Sequence, residues 1–105
     1  MEKVIFKTEV LKYFDELVYT LFSKDYFSYS ENALNYVDRI VGFTTFEINS
    51  FPHKKTPLKL KYLGSNYIFY KANNRTTWFI FFEKQDNNYL ITGILNNHCE
   101  EAKEF

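Results

Sequence analysis

Two stretches in the first half of the chain carry apolar residues at helical spacing. The first follows Thr8, a good residue for a helix start, and should end near Ser23–Asp25. The second follows Ser30 and should stop before Phe51-Pro52, because proline disfavours helical geometry in the residue before it. The aromatic connector Tyr26–Tyr29 is short, which predicts an antiparallel helical hairpin. The apolar positions are Val10, Leu11, Phe14, Leu17, Val18, Leu21 and Phe22 in the first helix, and Ala33, Leu34, Val37, Ile40, Val41, Thr44 and Ile48 in the second.

The rest of the chain has the alternation and the β-branched and aromatic residues of strands. Lysines alternate with apolar residues over Leu58–Leu63, so Leu58, Leu60 and Tyr62 should share one face of a short strand. Turn residues lie between the strand-like segments at Gly64-Ser65-Asn66, Asn73-Asn74 and Asp86-Asn87-Asn88. The acidic tail from Asn96 to Phe105 is expected to form a short helix. The predicted strands are Lys3–Lys7, Tyr67–Lys71, Thr76–Glu83 and Tyr89–Leu95, with Leu58–Leu63 as a small additional one.

This element order predicts an α+β fold. An N-terminal strand and a helical hairpin should pack on a small, mostly antiparallel sheet, in the order β-α-α-β-β-β. The 105 residues fit one domain, 1–105, with enough apolar side chains for a core without disulfides or metal.

Charge is distributed unevenly along a chain whose net charge is zero. Residues 51–84 carry seven basic residues and one acid, a net of +6, whereas the segments on either side each carry a net of −3. A basic middle predicts a surface for a polyanion or an acidic peptide. The alternative is a solvated sheet face that happens to be rich in lysine.

Several classes of function are disfavoured. Cys99 is the single cysteine and the first residues lack the apolar segment of a signal peptide, which together favour the cytoplasm. No apolar run is long enough to span a membrane. His53, His98 and Cys99 are the only soft metal ligands and have no metal-site spacing, so we expect no metal and no cofactor.

The C-terminal half resembles a known family. The segment Arg75-Thr76-Thr77-Trp78-Phe79-Ile80-Phe81-Phe82 and the ending from Tyr89 to Asn96-Asn97-His98, with the element order, resemble the RelE/ParE superfamily of plasmid stabilisation toxins. The resemblance implies a bacterial type II toxin that a cognate antitoxin neutralises. RelE-type members are endoribonucleases that cut mRNA on the ribosome, whereas ParE-type members inhibit DNA gyrase. This chain differs in having Thr76-Thr77 where many members have Tyr-Arg, and in its acidic ending.

The resemblance also implies a site. His98, at the end of the last strand, falls where ribonuclease members carry a catalytic histidine, and Arg75 lies close to the position of their arginine. Lys54, Lys55, Lys59 and Lys61 fall in the family's basic, RNA-binding stretch. A histidine can move the protons of RNA cleavage near neutral pH, and arginine can clamp the phosphate.

Other interpretations of these residues stay open. His98 could cap a strand end, Arg75 could be a turn residue in a surface ion pair, and the lysines could protect a sheet edge. Stacking of RNA bases is least implausible for Tyr62, Tyr67 and Tyr70. The neutral net charge keeps two alternatives to the ribonuclease: a ParE-like gyrase inhibitor, or a degenerate toxin-fold binding protein. The oligomeric state and the identity of the antitoxin stay open.

Overall fold

The described residues form two α-helices, two 3₁₀ helices and a mixed sheet of five strands. The computed structural model describes residues 3–23 and 30–105, without the side chains of residues 21–23, 30 and 31. The predicted connector Tyr26–Tyr29 therefore lies outside the described residues, as do the side chains of Leu21 and Phe22. The elements are β1 (Lys3–Phe6), α1 (Thr8–Ser23), α2 (Ser30–Glu47), β2 (Lys54–Lys55), β3 (Asn66–Lys71), β4 (Thr77–Gln85) and β5 (Asn88–Asn96), with 3₁₀ helices η1 (Leu58–Leu63) and η2 (Glu100–Glu104). The predicted α+β class is confirmed.

The strands lie in the order β1-β5-β4-β3-β2, so β4 and β5 form the centre of the sheet. β1 pairs with β5 in parallel, and the other neighbouring strands are antiparallel. A tight turn at Asp86-Asn87 joins β4 to β5, and Asp86 adopts a φ of 55° there. Asp and Asn tolerate this left-handed geometry, which two-residue hairpin loops favour.

The main core lies between the helices and one face of the sheet. Trp78, Ile80 and Phe82 alternate along β4 and are buried on this helix-covered face. The helices contribute most of the predicted apolar positions, with Ile40 and Ala33 completely buried. Leu11 and Leu34 depart from the prediction, because they are 48% and 50% exposed on the flanks of their helices.

A smaller core lies on the opposite face, which we call the second face. Leu60 from η1, Phe81 from β4 and Leu95 from β5 are buried there, and half-buried Tyr67 and Phe79 pack around them. η1 and η2 contact each other and β5 over this cluster. Both faces of the sheet are therefore covered, which gives three layers.

The predicted strand at Leu58–Leu63 is wrong, because this segment is the 3₁₀ helix η1. Its backbone bonds are local, from the Leu60 N–H to the Pro57 carbonyl and from the Gly64 N–H to the Lys61 carbonyl. A strand would have buried three alternate side chains, but only Leu60 is buried, whereas Leu58 is 83% and Tyr62 72% exposed. The additional strand is β2, whose pairing with β3 leaves η1 to cross onto the second face.

η1 lies unusually close to the central strands. A Cβ on Gly93 would lie 2.9 Å from the Leu63 carbonyl oxygen, and one on Gly64 would lie 2.8 Å from the Phe82 nitrogen. The register of β4 and β5 shifts between Phe81 and Phe82, and the Thr92 hydroxyl donates a hydrogen bond to the Leu63 carbonyl. The two glycines therefore allow the contact that fixes η1 on the sheet.

Candidate functional site

The end of β5 is tied to the turn between β3 and β4 by asparagine side chains. Asn97 accepts a hydrogen bond from the Thr77 N–H at 2.9 Å and donates one to the Arg75 carbonyl at 2.9 Å. Its own N–H donates to the Thr77 carbonyl at 3.0 Å. We call this contact between residues 96–98 and 73–77 the Asn97 junction. It brings the loops that carry His98 and Arg75 together at one end of the sheet.

His98 is exposed within the junction. Its ring nitrogen Nε2 lies 3.1 Å from the Thr76 hydroxyl oxygen, and its N–H donates to the Asn96 side-chain oxygen at 2.8 Å. The strand end is closed mainly by the asparagine side chains rather than by the imidazole. The ring is thus oriented by Thr76 and open to solvent, as a group that exchanges protons with a bound ligand must be.

Arg75 lies exposed on the β3–β4 turn. The Asn73 side-chain oxygen accepts hydrogen bonds from the Arg75 N–H at 2.8 Å and the Thr76 N–H at 2.9 Å, which confirms the predicted turn. In the part of the chain that the structure describes, no carboxylate forms an ion pair with Arg75. The structure therefore gives no support to the surface ion pair, and the guanidinium is available for an anion.

Lys54 and Lys55 lie far from this junction. They form β2 and pair with Tyr67 and Asn66, at the opposite end of β3 from the turn that carries Arg75. Five residues of strand separate the two ends, which corresponds to about 17 Å. The structure thus does not bring these lysines to the predicted catalytic pair. Two exposed lysines on a very short edge strand also fit the alternative of edge protection.

Lys59 and Lys61 lie exposed on η1, over the second face. Lys59, Leu60 and Tyr62 form one wall of a cleft of about 340 Å³, and the opposite wall consists of Glu100, Glu101, Lys103 and Glu104. The acidic tail thus lines the same cleft as Lys59, one of the lysines for which the resemblance implies RNA binding. The structure separates the six predicted site residues into the Asn97 junction, which holds Arg75 and His98, the β2 edge, which holds Lys54 and Lys55, and η1, which holds Lys59 and Lys61.

The tyrosines proposed for base stacking have three different environments. Tyr62 is 72% exposed, whereas Tyr70 packs on Phe43 at 5.0 Å between ring centres, within the main core. Tyr67 lies on the second face beneath Phe105, at 4.9 Å, and burial raises the pKa of its hydroxyl. Sequence reasoning missed Phe79, which stacks on Phe105 at 4.1 Å.

An aromatic cluster that sequence reasoning missed supports the junction from the helix side, with Trp78 buried and Tyr13 and Tyr36 half-buried around it. Trp78, which pairs with Asn96 across the sheet, donates a hydrogen bond from Nε1 to the Tyr36 hydroxyl at 2.9 Å. The Tyr13 ring packs edge-on against Trp78. Burial, and secondarily Cys99 and Tyr36, raise the pKa of Tyr13 to about 12. The Tyr13 phenol is therefore harder to deprotonate than an ordinary tyrosine.

Among residues 3–23 and 30–105, no three His, Cys, Asp or Glu side chains cluster in a way that could hold a metal ion. No described helix is both long and apolar enough to cross a membrane. Comparisons with protein-family models, with curated proteins and with solved structures found no match to this chain. The resemblance to the RelE/ParE superfamily therefore stays a prediction.

Proposed function

We propose that the protein is the toxin of a bacterial type II toxin–antitoxin system and acts in the cytoplasm as a RelE-like, ribosome-dependent mRNA endoribonuclease. The Asn97 junction carries this proposal, because it holds an exposed histidine in a loop that adjoins the loop of an exposed arginine, and no described carboxylate forms an ion pair with that arginine. The order of strands and helices, on which the resemblance partly rests, is also present.

The chemistry follows from the two side chains. The 2′ oxygen of the RNA attacks the adjacent phosphorus, the bond to the 5′ oxygen breaks, and a 2′,3′-cyclic phosphate and a 5′ hydroxyl result. His98 takes the 2′ proton or supplies a proton to the leaving 5′ oxygen. Arg75 offsets the charge that develops on the phosphoryl oxygens. Lys54, Lys55, Lys59 and Lys61 bind phosphates away from the cut.

The test is induced expression of wild type and His98→Ala in growing bacteria. We expect wild type to arrest growth and His98→Ala not to. The purified wild-type protein should cut mRNA only when ribosomes are added, and His98→Ala should lose about 10²–10⁴-fold in that cleavage. His53→Gln is the matched control, because His53 is bound to the Ile48 carbonyl at 2.6 Å, outside the junction. Arg75→Ala has a similar control in Arg39→Ala, the other arginine of the chain.

A second candidate is a ParE-like gyrase inhibitor or a non-catalytic toxin-fold binder. The acidic wall opposite Lys59 favours it, because this wall offsets part of the basic surface that RNA would need. It predicts that purified protein blocks DNA supercoiling and that His98→Ala stays fully toxic. That outcome would refute the catalytic role of His98.

Both candidates require an antitoxin. We expect an extended or helical antitoxin segment with acidic residues to bind across the sheet or the helical hairpin, near the basic stretch. Co-expression with the product of the adjacent gene should yield a complex on purification. A chain that never pairs with that product would argue against the toxin proposal as a whole.

A further inference from the structure

The second face presents an aromatic surface that the last residues of the chain cover. The rings of Phe105 and Phe79 lie nearly parallel, 4.1 Å apart and inclined by 12°. Tyr67 meets Phe105 edge-on at 4.9 Å, and Phe81 lies beneath at 6.1 Å. We call Tyr67, Phe79 and Phe81 the aromatic platform. Phe105 itself remains 41% exposed, so one face of the platform is covered by a single ring.

Lysines lie on two elements that border this platform, β2 and η1. Lys54 lies directly opposite Tyr67 in the ladder between β2 and β3, and residues opposite each other project from the same face of a sheet. Lys59 and Lys61 are exposed on η1, which packs on Phe81 through Leu60. Positive charge beside stacking aromatic rings is the arrangement that binds single-stranded nucleic acid with little sequence preference.

The covering segment, residues 100–105, is acidic and weakly attached. Glu100, Glu101 and Glu104 line the same cleft as Lys59, together with the one basic residue of the segment, Lys103. Within residues 100–105, the polar contacts of the described structure are local: the Phe105 N–H to the Ala102 carbonyl, the Ala102 N–H to the Cys99 carbonyl, and the Lys103–Glu100 ion pair. No hydrogen bond or ion pair among the described residues joins 100–105 to anything before Cys99, so the ring stacking is its main specific contact.

We infer that the aromatic platform binds single-stranded nucleic acid and that residues 100–105 occupy it as an intramolecular competitor. Phe105 takes the place of a base on Phe79, and the three glutamates take the place of phosphates in the cleft that Lys59 lines. This inference rests on the nucleic-acid substrate of the proposed function and adds a binding step that the protein itself restrains. Two stacked parallel rings and a lysine border favour a polyanion with flat bases over an apolar protein segment.

The test measures the binding of a short, fluorescein-labelled oligodeoxyuridylate to the full chain by anisotropy. This probe lacks the 2′ hydroxyl, so it cannot be cleaved. The tail variant combines Phe105→Ala with Glu100→Gln, Glu101→Gln and Glu104→Gln. We expect it to bind the oligonucleotide about tenfold more tightly than wild type. Adding Lys54→Gln, Lys59→Gln and Lys61→Gln should reverse the gain and flatten the dependence of affinity on salt.

Matched controls make the same changes elsewhere on the surface. Phe46→Ala removes a 78% exposed ring from α2, and Glu9→Gln, Asp15→Asn and Glu16→Gln remove three acids from α1. An equal gain in the combined control would overturn the inference, because the effect would then be one of net charge. Unchanged or undetectable binding in the tail variant would also overturn it, as would binding of an acidic peptide but not of the oligonucleotide. Near-ultraviolet circular dichroism checks that each variant keeps its packing.

Failure of this inference can be told apart from failure of the proposed function. If the tail variant gains affinity but His98→Ala remains toxic, the platform binds nucleic acid and the catalytic proposal fails. If His98→Ala loses toxicity and the tail variant binds like wild type, the ribonuclease proposal is supported, whereas the inference that residues 100–105 compete with nucleic acid is refuted.

Discussion

At the scale of single residues, asparagine side chains replace backbone partners at the end of the sheet. The Asn97 side chain accepts a hydrogen bond from one backbone N–H and donates one to a backbone carbonyl. The Asn73 side chain accepts hydrogen bonds from two backbone N–H groups of the turn beside it. We expect Asn97→Ala to lower the free energy of unfolding by about 1 kcal/mol, because water replaces these exposed bonds only in part. Urea unfolding measures this change. Asn74→Ala, in the same turn, is the control, and an equal loss there would contradict the assigned role.

The raised pKa of Tyr13 predicts that the stability of the protein depends on pH in the alkaline range. Its pKa is about 12 in the folded protein, against an ordinary value of 10.0. Below pH 10 the Tyr13 hydroxyl is protonated in the folded and in the unfolded protein, and its contribution to the free energy of unfolding is fully present. Between these values the unfolded state loses the proton first, so stability falls as pH rises, by at most ~1.4 kcal/mol per pH unit.

Tyr13→Phe should therefore show a shallower alkaline loss of stability than wild type when unfolding is measured from pH 9 to pH 12. Tyr19→Phe is the matched control, since Tyr19 is 72% exposed. Identical pH profiles for wild type and Tyr13→Phe would show that the Tyr13 hydroxyl is not held protonated by the fold.

At the scale of elements, the docking of η1 on β5 depends on a missing side chain. A Cβ on Gly93 would approach the Leu63 carbonyl oxygen and Cβ at 2.9 and 3.0 Å, whereas one on Gly42 in α2 would meet nothing within 4 Å. We expect Gly93→Ala to destabilise the protein by about 1–3 kcal/mol. Gly42→Ala should instead stabilise it by about 0.5–1 kcal/mol, because alanine is the better helix former. Thermal unfolding of both variants would show opposite shifts, and a shift of the same sign would argue against the close packing of η1.

The same segment shows where sequence reasoning reaches its limit. The helices, the three long strands and their turns follow from local periodicity and turn chemistry, which the chain carries strongly. That the loops of Arg75 and His98 adjoin each other could also be predicted, because the start of β4 lies beside the end of β5 in a hairpin. The path of Leu58–Leu63 could not be predicted, because an alternation of apolar and polar residues over six positions also fits a strand. Whether this segment forms a strand or a 3₁₀ helix depends on β2, which already occupies the edge of the sheet beside β3. The separation of the lysines and the covering of Tyr67 by Phe105 are consequences of that path and of long-range contacts.

At the scale of the whole molecule, β4 joins two cores. Trp78, Ile80 and Phe82 belong to the core under the helices, and Phe81 belongs to the core under η1. Alternation along one strand therefore couples the layers, because a change that loosens one face displaces the backbone of the other. Trp78 is the single tryptophan of the chain and is 2% exposed in the main core, so its fluorescence reports directly on the packing of that core.

This coupling predicts that a destabilising substitution on the second face also lowers the unfolding midpoint that Trp78 fluorescence reports. Leu60→Ala removes a side chain that is 2% exposed and should cost about 2–5 kcal/mol. We expect the unfolding midpoints from Trp78 fluorescence and from far-ultraviolet circular dichroism to fall together, as in a single cooperative transition. Leu58→Ala, in the same 3₁₀ helix but 83% exposed, should change stability by less than about 0.5 kcal/mol. If Leu60→Ala left the Trp78 midpoint in place while circular dichroism showed an earlier transition, η1 and η2 would form a layer that unfolds separately. Residues 100–105 could then leave the aromatic platform without loss of the core that holds the Asn97 junction.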